Sequence, residues 1–273
     1  MNALELRMVD ALKDLKDNHY VCGVKAEFEA EGTRMEEALR LKEVITKAGL
    51  DLTIKIGGCE AIKDMYDARS IGVTHIVGPM IESHYALRKF LGCAKNAFPD
   101  DERTDVKFLI NIETIQGYEN INEIVNVTNL DGVSLAGIVL GRVDFTGSIG
   151  LTREDVNSDK IYEYASVILS KAKLKEMECV VGGGVSKETI PFLQRFPEGT
   201  IDRYETRKVI FKCPEAMMGP YDKGILKAVG FELMWLKNKR NFYRLIFEED
   251  THRIDMLEKR YKRLITEAGG KYE

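Results

Sequence analysis

The chain has 273 residues, of which 44% are hydrophobic and 31% are charged, so it can bury a sizeable core in one domain. Its formal net charge of −4 is spread without long blocks of one sign, which gives no general attraction for nucleic acid or for an anionic membrane. We therefore expect a soluble protein that acts on a small molecule.

The N-terminal stretch, MNALELRMVDALKDLKD, has an acid or a base every few positions, which is unlike a signal or transit peptide. No apolar run approaches the roughly 20 residues that a membrane helix needs. The five cysteines are widely spaced and form no CxxC pair, which favours reduced, buried thiols over a zinc site. These features predict a cytoplasmic location.

Short β-rich runs alternate with helical stretches along the chain. One such stretch is TRMEEALRLKEVITKAGL, where Leu39, Leu41, Val44 and Ile45 lie near one helical face and Gly49 ends the helix. The alternation predicts a parallel sheet and an α/β fold, most compactly a closed (β/α)8 TIM barrel, with a doubly wound open sheet as the alternative. We identify seven strand candidates rather than eight, so either the first strand is irregular or one run contains two strands. The candidates are YVCGVKAEFEAEG, LDLTIKIGG, VTHIVGPMIES, VKFLINIET, DGVSLAGIVLGRVDF, ECVVGGGV and DRYETRKVIF.

The composition changes after about residue 213. We treat residues 1–273 as a single barrel domain with a C-terminal extension over 214–273, read as two helices that pack on the barrel or on a neighbouring subunit. Between Ile225 and Phe247 the apolar residues occupy more than one helical face, whereas a helix that only covers a barrel needs one stripe. The surplus predicts a homo-oligomer. These residues are Leu226, Val229, Phe231, Leu233, Met234, Trp235, Phe242, Tyr243 and Ile246.

Polar residues cluster where the predicted strands end, and in a barrel this end carries the active site. Glu113 follows the apolar run FLINI, and Asp144 follows GIVLGRV, so each carboxylate emerges from an apolar strand and cannot easily turn away to bulk water. Two carboxylates that converge there suit Mg²⁺ or Mn²⁺. The alternative is a structural ion pair of Glu113 with Lys55 or Arg142. The other polar groups and glycines at these ends are Glu27, Glu29, Glu31, Lys55, Glu82, Ser83, Thr114, Gly182, Gly183, Gly184, Glu205, Arg207 and Lys208.

Several of these residues have two readings. The glycines of GGGVS can offer N–H groups to a carboxylate or phosphate, or can simply form a tight turn. Lys55 can act as a Schiff-base nucleophile if its pKa is low, although a metal site makes this redundant. His75 lies within a strand and is expected to be a satisfied core or interface residue. His84 lies nearer to the strand ends, where a helix N-terminus explains it equally well.

The segments KAEFEAEG, IKIGG, IVGPMIES, INIETIQG and LGRVDFTGSIG, in this order, resemble the HpcH/HpaI aldolase and citrate lyase beta-chain superfamily. In that superfamily an Ile-Glu-Thr strand end supplies one metal-binding glutamate, and a Gly-x-x-Asp segment supplies a metal-binding aspartate. The resemblance spans roughly residues 20–215 and implies that Glu113 and Asp144 are the metal ligands. It also implies a trimer or hexamer in which a late helix is exchanged between protomers.

The chain departs from the superfamily pattern at two places. An arginine that contacts the substrate carboxylate is replaced by Lys55, which keeps the charge and loses the two-pronged geometry. The acid–histidine pair of the aldolase branch is replaced by FEAEGTR, so Glu29, Glu31 or a metal-bound water would transfer the proton. We therefore expect Lys55, Glu29 and Glu31 to be catalytic, and Lys55, Glu82 and the glycines 182–184 to bind substrate.

The resulting hypothesis is a divalent-metal-dependent carbon–carbon lyase of the aldolase type, which acts on a 2-oxo acid or related carboxylate through a metal-stabilised enolate. A CoA-thioester lyase of the citrate lyase beta-chain type is one alternative. The other is a non-catalytic metal-binding barrel that serves as a binding or assembly subunit.

Overall fold

Eight strands close into a ring in the computed structural model, which describes residues 1–271 of the chain. The prediction of a TIM-barrel-like α/β fold is confirmed, and the open-sheet alternative is wrong because β4 pairs with β6 and closes the ring. The ring strands are β1 (Val21–Glu27), β2 (Asp51–Lys55), β3 (His75–Gly78), β4 (Lys107–Ile112), β6 (Val133–Gly141), β7 (Glu178–Gly182), β8 (Arg203–Glu205) and β9 (Val209–Lys212), and the short β5 (Asn129–Leu130) pairs with β6 outside it.

Helices occupy the outside of the ring, and local sequence signals mark the ends of two of them. Thr114 accepts a hydrogen bond from the N–H of Gly117 and caps one helix, while Gly49 ends another at φ +69°. Leu39 is 49% exposed, unlike Leu41, so it lies off the apolar face. The helices are α1 (Ala3–His19), α2 (Met35–Ala48), α3 (Ile62–Ile71), α4 (His84–Ala97), α5 (Asp100–Arg103), α6 (Ile115–Glu119), α7 (Ile121–Val125), α8 (Arg142–Ser148), α9 (Asp159–Lys173), α10 (Ile190–Leu193) and α11 (Tyr221–Glu267).

The eighth ring strand, β9, runs opposite to the other seven. The run DRYETRKVIF contains both β8 and β9, which pair antiparallel, and β9 then pairs antiparallel with β1. One predicted run therefore does contain two strands. Because β8 is parallel to β7, the turn between β8 and β9 lies at the end of the barrel where the parallel strands finish, here called the mouth. Residues 206–208 form this turn.

The barrel interior is layered. Its middle is an apolar cluster of Val77, Leu109, Val139 and Val180. Side chains alternate along a strand, so the residues two and four positions after Leu109, at the end of β4, continue towards the mouth on the same side. These residues are polar, and they open the charged layer described below.

A second polar layer closes the other end of the barrel. Nε2 of His75 lies 3.5 Å from Nη1 of Arg203, and Nζ of Lys107 lies 3.4 Å from Oε2 of Glu178. Arg203 also forms an ion pair with Glu178. Burial, Arg203 and Lys107 together lower the pKa of His75 to about 3. The expectation that His75 is a satisfied core residue is confirmed.

The chain divides into two compact units, Met1–Glu232 and the remainder from Leu233. The expectation of two C-terminal helices is wrong, because the single helix α11 runs from Tyr221 to Glu267. The stretch EEDTHR between the two expected helices contains neither glycine nor proline, so no residue in it terminates a helix. Within residues 1–271, no helix has the length and apolar character required to cross a bilayer.

Candidate active site

Glu113 occupies the position directly after β4 and is 2% exposed. Its Oε1 accepts a hydrogen bond from the N–H of Met80 at 3.0 Å, and its Oε2 accepts one from Nδ2 of Asn111 at 2.5 Å. Nζ of Lys55 lies 3.4 Å from each carboxylate oxygen. The buried carboxylate is therefore compensated by one ammonium group and two N–H donors, as its burial requires.

Lys55 ends β2 and connects two acids of the mouth. Its Nζ also lies 2.9 Å from Oε2 of Glu29, so one ammonium group serves Glu29 and Glu113 together. Burial alone would lower the pKa of Lys55, but the carboxylates of Glu113 and Glu29 outweigh it and raise the pKa above its usual value. Lys55 is therefore protonated at neutral pH. Of the two ion-pair partners considered for Glu113, Lys55 is the one observed.

A second set of ion pairs lies on β1 and β8. Nζ of Lys25 lies 2.5 Å from Oε1 of Glu205 and 3.2 Å from Oε1 of Glu27. Burial opposes ionisation of Glu27, but Lys25 and then Lys55 hold its pKa below the usual range. The mouth is thus lined by alternating acids and bases.

Glu31 is held at the rim by two cations. Its Oε2 accepts a hydrogen bond from Nζ of Lys208, and its Oε1 lies 3.3 Å from Nε of Arg207. Both cations come from the β8–β9 turn. Burial lowers the pKa of Lys208, and Glu31 offsets only part of this effect.

The end of β6 approaches Glu113 closely at Gly141. A Cβ built on Gly141 would lie 2.6 Å from Oε2 of Glu113, which no side chain tolerates, so glycine is required here for the carboxylate to stand where it does. Asp144 follows three residues later in the first turn of α8 and is exposed. The expectation that Asp144 cannot turn towards water is wrong, because the chain leaves β6 at Gly141 and enters a helix before it reaches the aspartate.

Arg142 follows Gly141 in the turn between β6 and α8, and its side chain is fully buried. Its guanidinium donates to the carbonyl oxygens of Gly182 at 3.1 Å and Gly183 at 2.9 Å, and to Oδ1 of Asn157 at 2.6 Å. Burial lowers the pKa of Arg142 to about 9. Gly183 and Gly184 form a turn with φ of +76° and +67°, and the carbonyls of Gly182 and Gly183 bind Arg142. Substrate binding by the N–H groups of Gly182, Gly183 and Gly184 stays a prediction.

The loop after β3 carries Met80 and Glu82. Oε1 of Glu82 accepts a hydrogen bond from Oγ1 of Thr114 at 2.7 Å, so this carboxylate ties the β3 loop to the start of α6. Met80 has φ of +47°, and its N–H is the one that Glu113 accepts. His84 is the first residue of α4 and lies 3.0 Å from Glu123 on the outside. The hydrogen bond of Glu82 positions the loop beside Glu113.

Two residues of the mouth were not singled out by the sequence patterns, although a signal for each is present. Lys25 lies two residues before Glu27 in β1, so the two face the same side of the strand. Asn111 lies two residues before Glu113 in the same way and interrupts an apolar strand. Its Oδ1 is buried without a hydrogen-bond partner. A polar residue two positions before a buried acid is therefore the informative pattern.

Glu113 and Asp144 supply carboxylate oxygens, which are the donors that a hard divalent cation prefers. Within residues 1–271, no group of three or more His, Cys, Asp or Glu side chains surrounds a common point, so water and substrate oxygens would complete the coordination of a hard cation. Besides Glu113 and Asp144, the mouth carries the acids Glu27, Glu29, Glu31, Glu82 and Glu205 and the bases Lys25, Lys55, Arg207 and Lys208.

The sequence model of the HpcH/HpaI aldolase/citrate lyase family matches residues 33–183, which is more than half of the chain. The chain belongs to this family. The matched residues include Lys55, Glu113 and Asp144, whereas Lys25, Glu29 and the β8–β9 turn lie outside them. The family consists of lyases, so the chain is a lyase of the aldolase/citrate lyase type. No curated protein sequence matches the chain.

Solved structures agree with this family assignment at the level of the fold. An HpcH/HpaI aldolase from Desulfitobacterium hafniense DCB-2 matches with a TM-score of 0.56 at 13% identity, over 69% of this chain and 78% of that one. A citrate synthase, SbnG, matches with a TM-score of 0.58 at 12% identity, over 86% and 90%. A family protein from Burkholderia cenocepacia J2315 matches with a TM-score of 0.57 at 12% identity, over 71% and 89%. At these identities the likeness extends to the fold alone.

Proposed function

We propose that the chain is a divalent-metal-dependent carbon–carbon lyase that cleaves a 2-oxo acid or a related carboxylate. The observation that carries the proposal is the buried Glu113 carboxylate at the end of β4, which lies beside Lys55 and against the Gly141 turn that leads to Asp144. A bound Mg²⁺ or Mn²⁺ supplies positive charge to the carboxylate and carbonyl oxygens of the substrate. Glu113 and Asp144 are the residues that would hold it.

Lys55 contributes a fixed positive charge beside the site. Its raised pKa keeps the ammonium group protonated, so it stabilises negative charge on a substrate oxygen and does not attack a carbonyl carbon. As a lysine it supplies a point charge where family members place the planar fork of an arginine. We expect weaker discrimination between substrate carboxylates at this position as a result.

Glu29 is the better candidate for proton transfer among the two acids of the FEAEGTR segment. It contacts Lys55, which places it next to the same ammonium group as Glu113. Glu31 is instead held by Lys208 and Arg207, so moving a proton to or from it would break two charge-assisted contacts. Glu29→Gln should therefore lower kcat more than Glu31→Gln does.

A substrate panel tests the proposal. Purified protein is incubated with several 4-hydroxy-2-oxo acids, with and without Mg²⁺ or Mn²⁺, and pyruvate release is measured with Glu113→Gln as the inactive control. The proposal predicts pyruvate release that requires both the metal and Glu113. Metal-dependent release of acetyl-CoA from thioester substrates would replace it with the citrate lyase beta-chain reaction. Metal binding without turnover of either class would replace it with a non-catalytic barrel.

We further propose that the lyase is a homo-oligomer, for which the resemblance implies a trimer or hexamer. Leu226 and Val229 are 72% and 54% exposed on α11 in a single copy, and exposed apolar residues of this size commonly mark subunit interfaces. Light scattering at low micromolar concentration should give a multiple of 30.9 kDa. A stable monomer would contradict this proposal and leave the lyase reaction untouched.

A further inference from the structure

Helix α11 carries two different apolar stripes. One stripe is buried and includes Phe231 and Trp235, which are 0% and 4% exposed. The second stripe follows a different line along the helix, and its residues from Leu233 onwards lie in the second compact unit. Its large apolar members are exposed: Leu233, Leu236, Phe247, Ile254, Leu257, Tyr261 and Leu264 are between 46% and 71% exposed.

The exposed stripe follows a heptad repeat. Steps of three and four residues alternate from Leu233 to Leu264, which puts ten residues in the a and d positions of successive heptads. Such a 3.5-residue period is the signature of a helix that supercoils with another helix, whereas a helix packed on a barrel follows its 3.6-residue period. The a positions are Leu233, Arg240, Phe247, Ile254 and Tyr261, and the d positions are Leu236, Tyr243, Asp250, Leu257 and Leu264.

Only two of the ten positions are charged, and their signs are opposite. Arg240 is at an a position and Asp250 is at a d position, ten residues apart. In a coiled coil the charged residues at core positions decide which alignment of the helices is tolerated. An alignment that pairs Arg240 with Asp250 is therefore favoured, and it restricts both the identity of the second helix and its orientation.

We propose that this stripe binds the same stripe of a second copy of the chain, as an antiparallel coiled coil centred on residue 245. In an antiparallel pair each a residue packs beside a d residue of the other helix. Centring on 245 places Arg240 of each copy beside Asp250 of the other, so both core charges are neutralised. A parallel, in-register pair would instead bury arginine against arginine and aspartate against aspartate.

The same alignment makes the remaining core layers apolar. Between positions 233 and 257 every a residue meets a d residue that is large and hydrophobic, apart from the two Arg–Asp layers. The apolar layers are Leu233 with Leu257, Leu236 with Ile254, and Tyr243 with Phe247, and each occurs twice because of the two-fold axis.

The two-fold pairing has a direct consequence for the assembly. Each copy uses its stripe once, so the subunits are joined in pairs and the assembly has an even number of chains. Of the two assemblies that the family resemblance implies, the hexamer is compatible with this pairing and the trimer is not. The pairing is independent of the lyase site, because no residue of the stripe lies in the barrel.

A charge-exchange experiment on the full-length chain tests the register. Arg240→Asp places two acids in each of the two Arg–Asp layers, and Asp250→Arg places two arginines in each of them. Each single variant should raise the dissociation constant for pairing by about tenfold or more, measured by sedimentation equilibrium. The double variant Arg240→Asp/Asp250→Arg restores opposite charges and should return to within about threefold of the unchanged protein. Failure of the double variant to recover would overturn the register.

Cysteine cross-linking tests the direction. Leu236→Cys and Ile254→Cys are purified separately, and each is oxidised alone and then after mixing and re-equilibration, with the unchanged chain showing the background from its five native cysteines. An antiparallel pair predicts a new disulfide-linked band at twice 30.9 kDa in the mixture only. A band from either variant alone would show a parallel pair, and no band together with a monomeric mass would overturn the proposal.

Discussion

Lys55 and Glu113 form a buried ion pair at the mouth of the barrel, with 3.4 Å between Nζ and each carboxylate oxygen. The pair joins the end of β2 to the end of β4 across the intervening strand β3. Removal of Lys55 leaves Glu113 without a counter-charge in the interior, which typically costs about 3–5 kcal/mol of stability. The ion pair therefore couples the folding of this end of the barrel to the chemistry proposed for it.

Metal binding should depend on two carboxylates that differ in burial. Glu113→Gln and Asp144→Asn each remove one charged oxygen ligand and should reduce Mg²⁺ or Mn²⁺ affinity on the order of 100-fold or more, measured by titration calorimetry. Asp131→Asn is the matched control, because this aspartate pairs with Lys95 on the surface and should leave the affinity unchanged. Unchanged affinity in both site variants would rule out the proposed metal ligands.

The close approach of Gly141 to Glu113 gives a second test that removes no ligand. Gly141→Ala inserts a Cβ where Oε2 of Glu113 would be 2.6 Å away, so the carboxylate must move, and metal affinity should fall about 10–100-fold. Gly147→Ala, in the helix α8 that follows Gly141, is the control. Its added Cβ meets nothing within 4 Å, and it should raise the stability by about 0.5–1 kcal/mol with unchanged metal binding. Equal effects of the two substitutions on metal affinity would contradict the geometry.

Lys55 should not form a covalent adduct with the substrate. Its pKa is raised, so the free amine that a Schiff base requires is scarce at neutral pH. Borohydride reduction in the presence of pyruvate, followed by peptide mass spectrometry, should leave Lys55 unmodified. In the same digest, the extent of modification of Lys55 is compared with that of Lys208, because burial lowers the pKa of Lys208. A reduced adduct on Lys55 would replace the metal mechanism with a Schiff-base one.

His75 should make the barrel less stable in acid. Its pKa is about 3 in the folded chain against 6.5 in the unfolded chain, so the unfolded state takes up a proton first as the pH falls below 6.5. At pH 5 this one group should cost about 2 kcal/mol of unfolding free energy relative to pH 7.5. Urea unfolding is measured at both pH values for the unchanged chain and for His75→Gln. Between pH 7.5 and pH 5 the variant should lose about 2 kcal/mol less unfolding free energy than the unchanged chain. Equal losses would show that His75 does not titrate in this way.

Local patterns in the sequence are sufficient to predict the barrel and its buried acid. The strands are apolar runs bounded by turn residues, and a carboxylate at the end of FLINI cannot avoid the interior. By the same reasoning, DRYETRKVIF is long enough for two short strands. This agrees with one of the two explanations for the missing eighth strand, in which a single run contains two strands. These features depend on residues that are close together in the chain.

Features that depend on distant parts of the chain could not be predicted. Lys25 and Glu205 are 180 residues apart, and only the closed ring brings them together. The exposure of Asp144 depends on where β6 ends, and β6 ends at Gly141, three residues before the aspartate. The sequence predicts two C-terminal helices because the polar stretch EEDTHR resembles a loop. That stretch contains no helix-breaking residue, and α11 is continuous through it.

The pairing of β9 with β1 has a consequence for how the chain is made. β1 has β2 on one side, but its other edge pairs with β9, where Val21 meets Phe211. A ribosome must therefore synthesise almost four-fifths of the protein before that edge of the nascent sheet can be covered. Until then the growing chain carries an open strand edge near its N-terminus, and the barrel closes only when the hairpin of β8 and β9 folds back onto it. The last ring strand to leave the ribosome thus completes the first.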